Sequence, residues 1–221
     1  MGQTPKSCAL AAEPDRDCDR CGRLVQFRAA NKSAEPEWFN GAVPSFGEAG
    51  ARLLVVGLAP GLKGANRTGR PFTGDYAGEL LYATLLEYGF AKGRYGAHPG
   101  DGLVLRDCMI SNAVRCVPPE NKPAPDEIAA CRPFLVARMA ALPRLRAILA
   151  LGRIAHDQTL AASDLRKVLH PFAHGARHDI RPGLALFDSF HCSRYNTNTR
   201  RLTPEMFRSV FGSIRIHLDS V

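Results

Sequence analysis

The sequence predicts an α/β fold, a three-layer α/β/α sandwich around a central, mostly parallel sheet. Four short apolar runs are spaced along the chain, and each is closed by a loop and then a segment with helical signals. Such alternation is the pattern of a parallel sheet covered on both faces. With 221 residues, 45% of them apolar, the chain can bury one sizeable core, so a single domain over 18–221 is expected.

Residues 1–17 are polar, charged and without periodicity, and read as a flexible arm. Arg52 to Leu58 is the first apolar run, stopped by Ala59, Pro60 and Gly61, and reads as a buried strand entering a loop. Leucines 80, 81, 85 and 86 then mark one face of a helix over 78–88. Cys108 to Val114 is the second strand, and its helix over 125–142 starts with Pro125, Asp126 and Glu127, good first-turn residues. Arg146 to Leu151 is the third, turning at Gly152 into a helix through Ala162. Leu184 to Phe190 is the last, and a polar loop leads from it to Thr203 and Pro204, an N-cap followed by proline at the first helical position.

The chain carries 29 Lys and Arg against 21 Asp and Glu, a net charge of +8. That excess points to a polyanionic partner, although a basic enzyme with no nucleic-acid role fits it equally well. No run approaches the length of a membrane span, and the start has no signal-peptide core, so a cytoplasmic protein with no membrane partner, acting as a monomer, is expected. Among seven cysteines, Cys18 and Cys21 form a C-x2-C pair, while Cys116 and Cys131 form a second pair with fourteen residues between them. Zinc and an iron-sulfur cluster are both admissible for such ligands, and unconnected thiols remain an alternative. Cys8, Cys108 and Cys192 lie in the arm, a strand and a loop, and are left out of that set.

Ligands of open α/β sheets bind beyond the carboxyl ends of the strands. The loops there hold the unusual polar and glycine content. The first, Gly57, Leu58, Ala59, Pro60 and Gly61, continues through Gly64, Arg67 and Arg70 to Phe72 and Asp75. Closely spaced glycines admit a ligand to the backbone, arginines meet phosphates, and a phenylalanine can stack on a base. The competing reading makes Phe72 a core plug and Asp75 a helix cap. The second loop holds Asn121, whose amide can donate and accept as a base edge requires. The third places His191 at a strand end, then gathers Arg194, Tyr195, Asn196, Asn198, Arg200 and Arg201 into eight residues. That mixture of cations and planar groups suits a nucleic-acid backbone and an opened stack, though a solvated polar loop is the plainer alternative.

Taken together these segments resemble the family 5 uracil-DNA glycosylases. The likeness rests on G-L-A-P-G with N-R-T-G-R-P-F-T-G-D, A-V-R-C-x-P-P-x-N-K-P, A-L-G-R-I-A at 150–155 and N-T-N-T-x-R-L-T, and runs from about Cys18 to Phe211. The resemblance implies a structural four-iron, four-sulfur cluster on Cys18, Cys21, Cys116 and Cys131. It also implies that Phe72 stacks on the flipped base, Asn121 contacts the uracil edge, His191 donates near its O2, and Asp75 is the carboxylate near the sugar. The related family 4 reads G-E-A-P-G in the first loop where this chain has Leu58, which moves any carboxylate role to Asp75. Cys192 follows His191 where relatives often have proline, and Arg200 stands where the family commonly has glycine. The implied activity is that of a monofunctional glycosylase acting on DNA containing uracil, and on deaminated purines such as hypoxanthine and xanthine, with Arg67, Arg70, Arg194, Tyr195, Asn196, Arg200 and Arg201 on the DNA.

Overall fold

In the computed structural model, residues 12–220 are described. Helix α1 (Gly22–Ala34) comes first, followed by the short strand β1 (Phe46–Gly47) and by β2 (Leu53–Gly57), the first apolar run. The glycine-rich loop contains one helical turn, α2 (Ala65–Thr68), and leads to α3 (Tyr76–Glu87). A small hairpin of β3 (Ala91–Lys92) and β4 (Val104–Leu105) precedes β5 (Cys108–Asn112). Then come α4 (Pro125–Ala140), β6 (Ala147–Leu151), α5 (Arg153–Ala162), β7 (Arg177–Arg181), β8 (Leu184–Ser189), α6 (Arg194–Asn198) and α7 (Pro204–Asp219).

The main sheet has the order β1-β5-β2-β6-β8-β7. Its four central strands are parallel, and β1 and β7 close the edges antiparallel. Every residue of β2, β5, β6 and β8 is buried, because helices cover both faces. Alternation divides the strands between two cores: Leu53, Val55, Leu149 and Phe187 face α3 and α7, whereas Leu54, Val56, Ile148 and Leu186 face α4 and α5. The parallel strands therefore deliver Gly57, Asn112, Leu151 and Ser189 to one edge.

The helix starts read from the sequence hold. Thr203 accepts from the Met206 amide at 3.2 Å, and Glu127 accepts from the Ala124 amide at 2.7 Å ahead of Pro125. The arm expected over 1–17 is corrected in part. Glu13 pairs with Arg115 and Arg138 and accepts from the Ser45 amide, and the Arg16 carbonyl accepts from Ala42 and Arg28. Residues 12–17 thus belong to the folded unit, held by buried arginines that need anionic and carbonyl partners. Residues 1–11, with Cys8, lie outside the described residues. Among the described residues, no helix is long and apolar enough to cross a membrane.

Candidate active site and cysteine pocket

A cavity of about 580 Å3 opens at the carboxyl edge of the sheet, lined by the first loop, Asn112, Asn121, His191 and Arg194. Its floor follows from strand register. Gly57 and Asn112 end their strands as partners, and a Cβ on Gly57 would stand 2.4 Å from Asn112 Oδ1 and 2.6 Å from Phe72 Cζ. Glycine alone lets that amide and that ring approach the same backbone. Leu58 and Ala59 continue the wall, and the Leu58 carbonyl accepts from the Val114 amide at 2.9 Å, fastening the first loop to the second.

Phe72 is both core plug and pocket wall. It packs in the core with 7% exposure and still lines the cavity. Its φ of 53° is a conformation that a bulky residue rarely adopts, and the Tyr95 hydroxyl donates to its carbonyl at 3.2 Å. The ring stacks on His191 with centroids 5.8 Å apart and planes at 27°. Burial drives the His191 pKa down to about 4, so at neutral pH the imidazole is an uncharged donor and acceptor.

Asp75 likewise does two things. As the N-cap of α3 it accepts from the Gly78 amide, and its carboxylate lies in space that two glycines leave open. A Cβ on Gly64 would stand 2.3 Å from Asp75 Oδ2, and one on Gly61 3.0 Å from it. Burial raises the pKa of this carboxyl, and the Gly78 and Ala77 amides oppose that shift. It has no cationic partner within ion-pair distance among the described residues.

The two asparagines differ in placement. Asn121 sits on the exposed rim with φ 57°, whereas Asn112 is buried on the floor and its Oδ1 has no hydrogen-bond partner. Asn112 was not singled out in the sequence. The signal was an amide ending a strand that begins apolar, paired with the loop glycine across the sheet. Lys63, also at the cavity mouth, was likewise unweighed.

Of the seven residues expected on DNA, Arg67, Arg194, Tyr195, Arg200 and Arg201 are exposed around this edge. Arg194 covers the Tyr76 ring at 5.2 Å and Arg201 the Phe190 ring at 4.6 Å. Arg200 adopts φ 57°, the left-handed conformation that glycine at this position would reach without strain. One expectation is corrected. Arg70 is 5% exposed and forms a bidentate pair with Asp101 at 2.8 and 2.6 Å, its Nε donates to Thr73 and its guanidinium packs over Tyr82 and Tyr95. With its donors spent inside the fold, it fixes the loop and cannot reach phosphate. The half-buried Asn196 amide donates one hydrogen to the His191 carbonyl at 2.8 Å and so also steadies the histidine.

Cys18, Cys21, Cys116 and Cys131 line a single small pocket walled by Leu24, Ala42, Val114 and Phe134. The Arg115 amide donates to Cys131 Sγ at 3.3 Å. Buried Arg28 reaches the Cys18 carbonyl with one terminal nitrogen and leaves its Nε without a partner. Burial pushes the thiols of Cys116 and Cys131 up to about 12 and about 11. Cys108 and Cys192 are buried elsewhere in the core.

A doubly covered parallel sheet whose strand-end cavity combines a stacking ring, an unpaired amide and a desolvated carboxylate, rimmed by arginines, defines an α/β enzyme that handles a nucleobase. Comparison with known proteins makes this specific. The model of the uracil DNA glycosylase superfamily matches residues 44–215. The chain is 47% identical to the type-5 uracil-DNA glycosylase of Thermus thermophilus, across 87% of this chain and 90% of that one. It is 37% identical to the Mycobacterium bovis enzyme of the same type, across 88% and 75%, and 36% identical to that of Pyrobaculum aerophilum, across 88% and 86%. The chain belongs to the type-5 uracil-DNA glycosylases of the uracil DNA glycosylase superfamily, enzymes of DNA repair whose substrate is DNA.

Proposed function

We propose that the chain is a monofunctional glycosylase that hydrolyses the N-glycosidic bond of uracil, and of hypoxanthine and xanthine, at the cavity beyond Gly57 and Asn112. A base inside a duplex is inaccessible, so the nucleotide is extruded and Phe72 offsets part of the lost stacking. The Asn112 amide reads the base edge, with its unpaired Oδ1 accepting the imide N–H of uracil; Asn121 closes over the base from the rim. Bond cleavage leaves positive charge on the sugar and negative charge on the departing base. Asp75 stabilises the sugar cation or orients the attacking water, and neutral His191 donates to the base near O2, each worth roughly 2–4 kcal/mol. The exposed arginines at 67, 194, 200 and 201, with Tyr195, hold the strand and fill the vacated stack.

The observation that carries this reading is Asn112, a buried amide oxygen left without a donor on the floor of an open cavity. The cavity, of about 580 Å3, has room for a purine beside uracil, which supports the wider range. The cysteine pocket fits a cubic four-iron, four-sulfur cluster: it offers four thiols, an amide donor to sulfur, and on Arg28, near Cys18 and Cys116, a buried guanidinium nitrogen without a partner that would suit an anionic group. When bound, the cluster would tie α1 to α4 and the second loop as a structural group.

The test is incubation of the purified protein with oligonucleotides containing uracil, hypoxanthine or xanthine, with free base and abasic sites measured, and borohydride added in parallel. Release of all three bases with no trapped adduct is expected. Release of uracil alone would establish a strict uracil enzyme, and a borohydride-trapped adduct through Lys63 would overturn the monofunctional assignment.

A further inference from the structure

Four of the seven histidines lie between positions 156 and 178, and none of those four belongs to the cavity above. Strand alternation explains where they meet. Along β8, Leu186 and Asp188 face α5 while Phe187 faces the other core. On β7, His178 and Ile180 face the same way as Asp188. His156, in the second turn of α5, lies over both. Its Nδ1 stands 2.8 Å from Asp188 Oδ1, and His178 Nε2 stands 3.2 Å from Asp188 Oδ2. One ligand atom from each of the three residues falls within 4.8 Å of the others.

We propose that His156, His178 and Asp188 form a binding site for a divalent transition-metal ion of the zinc type, separate from the cysteine pocket. His156 Nε2 is 2.9 Å from the His170 carbonyl, which accepts a proton from it and so fixes the tautomer. That leaves the Nδ1 lone pair aimed at a carboxylate oxygen, two acceptors that something positive must hold together. Metal-bound histidines make this same outer bond to a carbonyl. Ligands around a tetrahedral zinc at 2.0–2.1 Å are roughly 3.3 Å apart, so the histidine–carboxylate separations of 2.8 and 3.2 Å would open by roughly 0.5 and 0.1 Å, while the two histidine nitrogens, within 4.8 Å of each other, would draw together. Asp188 and His156 are fully buried while His178 is partly open. The fourth position therefore falls to water on the side of the His170 ring, which stacks on His178 at 5.6 Å. Two neutral imidazoles and one carboxylate with an open position form a borderline-soft donor set that suits zinc, and also cobalt(II) as its probe.

Such an ion would clamp α5, β7 and β8 together three residues before His191, so the site would serve to position the active edge. The alternative is a proton in place of the ion, with His156 as a buried imidazolium on Asp188. The experiment separates them. Chelator-treated full-length protein with its cysteine site as isolated is titrated with Zn2+ by calorimetry and with Co2+ by absorption, beside His178→Ala and Asp188→Asn. The expected result is one equivalent bound with visible d–d bands and without the near-ultraviolet charge transfer of thiolate ligands, affinity at least tenfold weaker in both variants, and thermal stabilisation by Zn2+ in the wild type only. His178 lies on an edge strand, so its variant keeps the test valid if Asp188→Asn unfolds. No bound equivalent, unchanged affinity in His178→Ala, or a thiolate spectrum would overturn the proposal.

Discussion

Truncating Asn112 to alanine separates a base-reading amide from a structural one. On the proposed reading the amide makes two hydrogen bonds to the uracil edge, and leaving a buried polar partner unmade costs about 1–3 kcal/mol. Two such losses, at about 2 kcal/mol each, amount to roughly 10³-fold in rate, at 1.36 kcal/mol per tenfold. Stability should move the other way. Asn112 Oδ1 has no donor in the free protein, so removing it recovers part of a similar desolvation cost. Because the side chain borders an open cavity, truncation leaves no closed void. A gain of about 1 kcal/mol would raise Tm by roughly 2–4 °C in a protein of this size. The assay is single-turnover release of uracil beside a thermal melt. Asn112→Asp, which keeps the shape and removes the donor, should also weaken the preference for uracil over cytosine. If Asn112→Ala cleaves within threefold of the wild type, or loses activity only in step with a fall in Tm, the amide is structural and the base is read elsewhere.

Asp75→Asn keeps the N-cap of α3 and should slow cleavage roughly 10²–10³-fold. The raised carboxyl pKa means that the folded state prefers the protonated form, so this group's contribution to stability is lost as pH rises through the folded pKa, and the variant should melt higher at pH 7. Wild-type cleavage should fall as pH drops through the Asp75 pKa, and no inflection should come from His191 between pH 5 and 8, because that ring is neutral above about 4; a limb near 6.5 abolished by His191→Asn would refute this. Arg70→Ala should lower Tm and leave the salt dependence of DNA binding unchanged, whereas Arg201→Ala should reduce the log–log salt slope by about 1 at constant Tm; the reverse pattern would place Arg70 on the DNA. Arg200→Gly should raise stability by about 1 kcal/mol by relieving the left-handed backbone, read in denaturant melts, and a loss of stability would show that the side chain anchors the loop. Anaerobically purified protein should contain about four irons per chain and Cys116→Ser should bleach it; a colourless wild type holding zinc in the cysteine pocket would rule out the cluster.

The parallel core was legible because each central strand begins as an apolar run, with polar residues only at the carboxyl ends of β5 and β8, and because Pro125, Thr203 and Pro204 punctuate helices in the usual way. The edges were not. β7 reads Arg177 to Arg181, a largely exposed strand with one buried residue, Ile180, and β1 has two residues, so neither carries an apolar signature. Helix α1 was missed because it buries only Leu24 and Arg28, and a buried arginine mimics a solvated face in sequence. The same ambiguity misled the reading of Arg70: a cation in a glycine-rich loop suits phosphate, and nothing local announces that Asp101, thirty-one residues away, will neutralise it. Asn112 escaped for the opposite reason, since its meaning lies in register with Gly57, a fact of pairing that spacing does not contain.

The cavity draws on a shared physical device for two opposite ends. Burial acts on Asp75 and His191 alike, raising one pKa and lowering the other. In both cases it disfavours the charged form, yet the consequences differ at pH 7. His191 is left neutral, and on the proposed reading it donates to a departing anion without first attracting it. Asp75, in its ionised form, sits in a site that hydrates it poorly, so its attraction to positive charge is little diminished by water. No ion pair in the described protein quenches it, and the two glycines at 61 and 64 leave it room beside the ligand without a competing side chain. On that reading both groups gain most when charge separates across the glycosidic bond, and little from the uncharged ground state, which is the condition for binding energy to appear as rate.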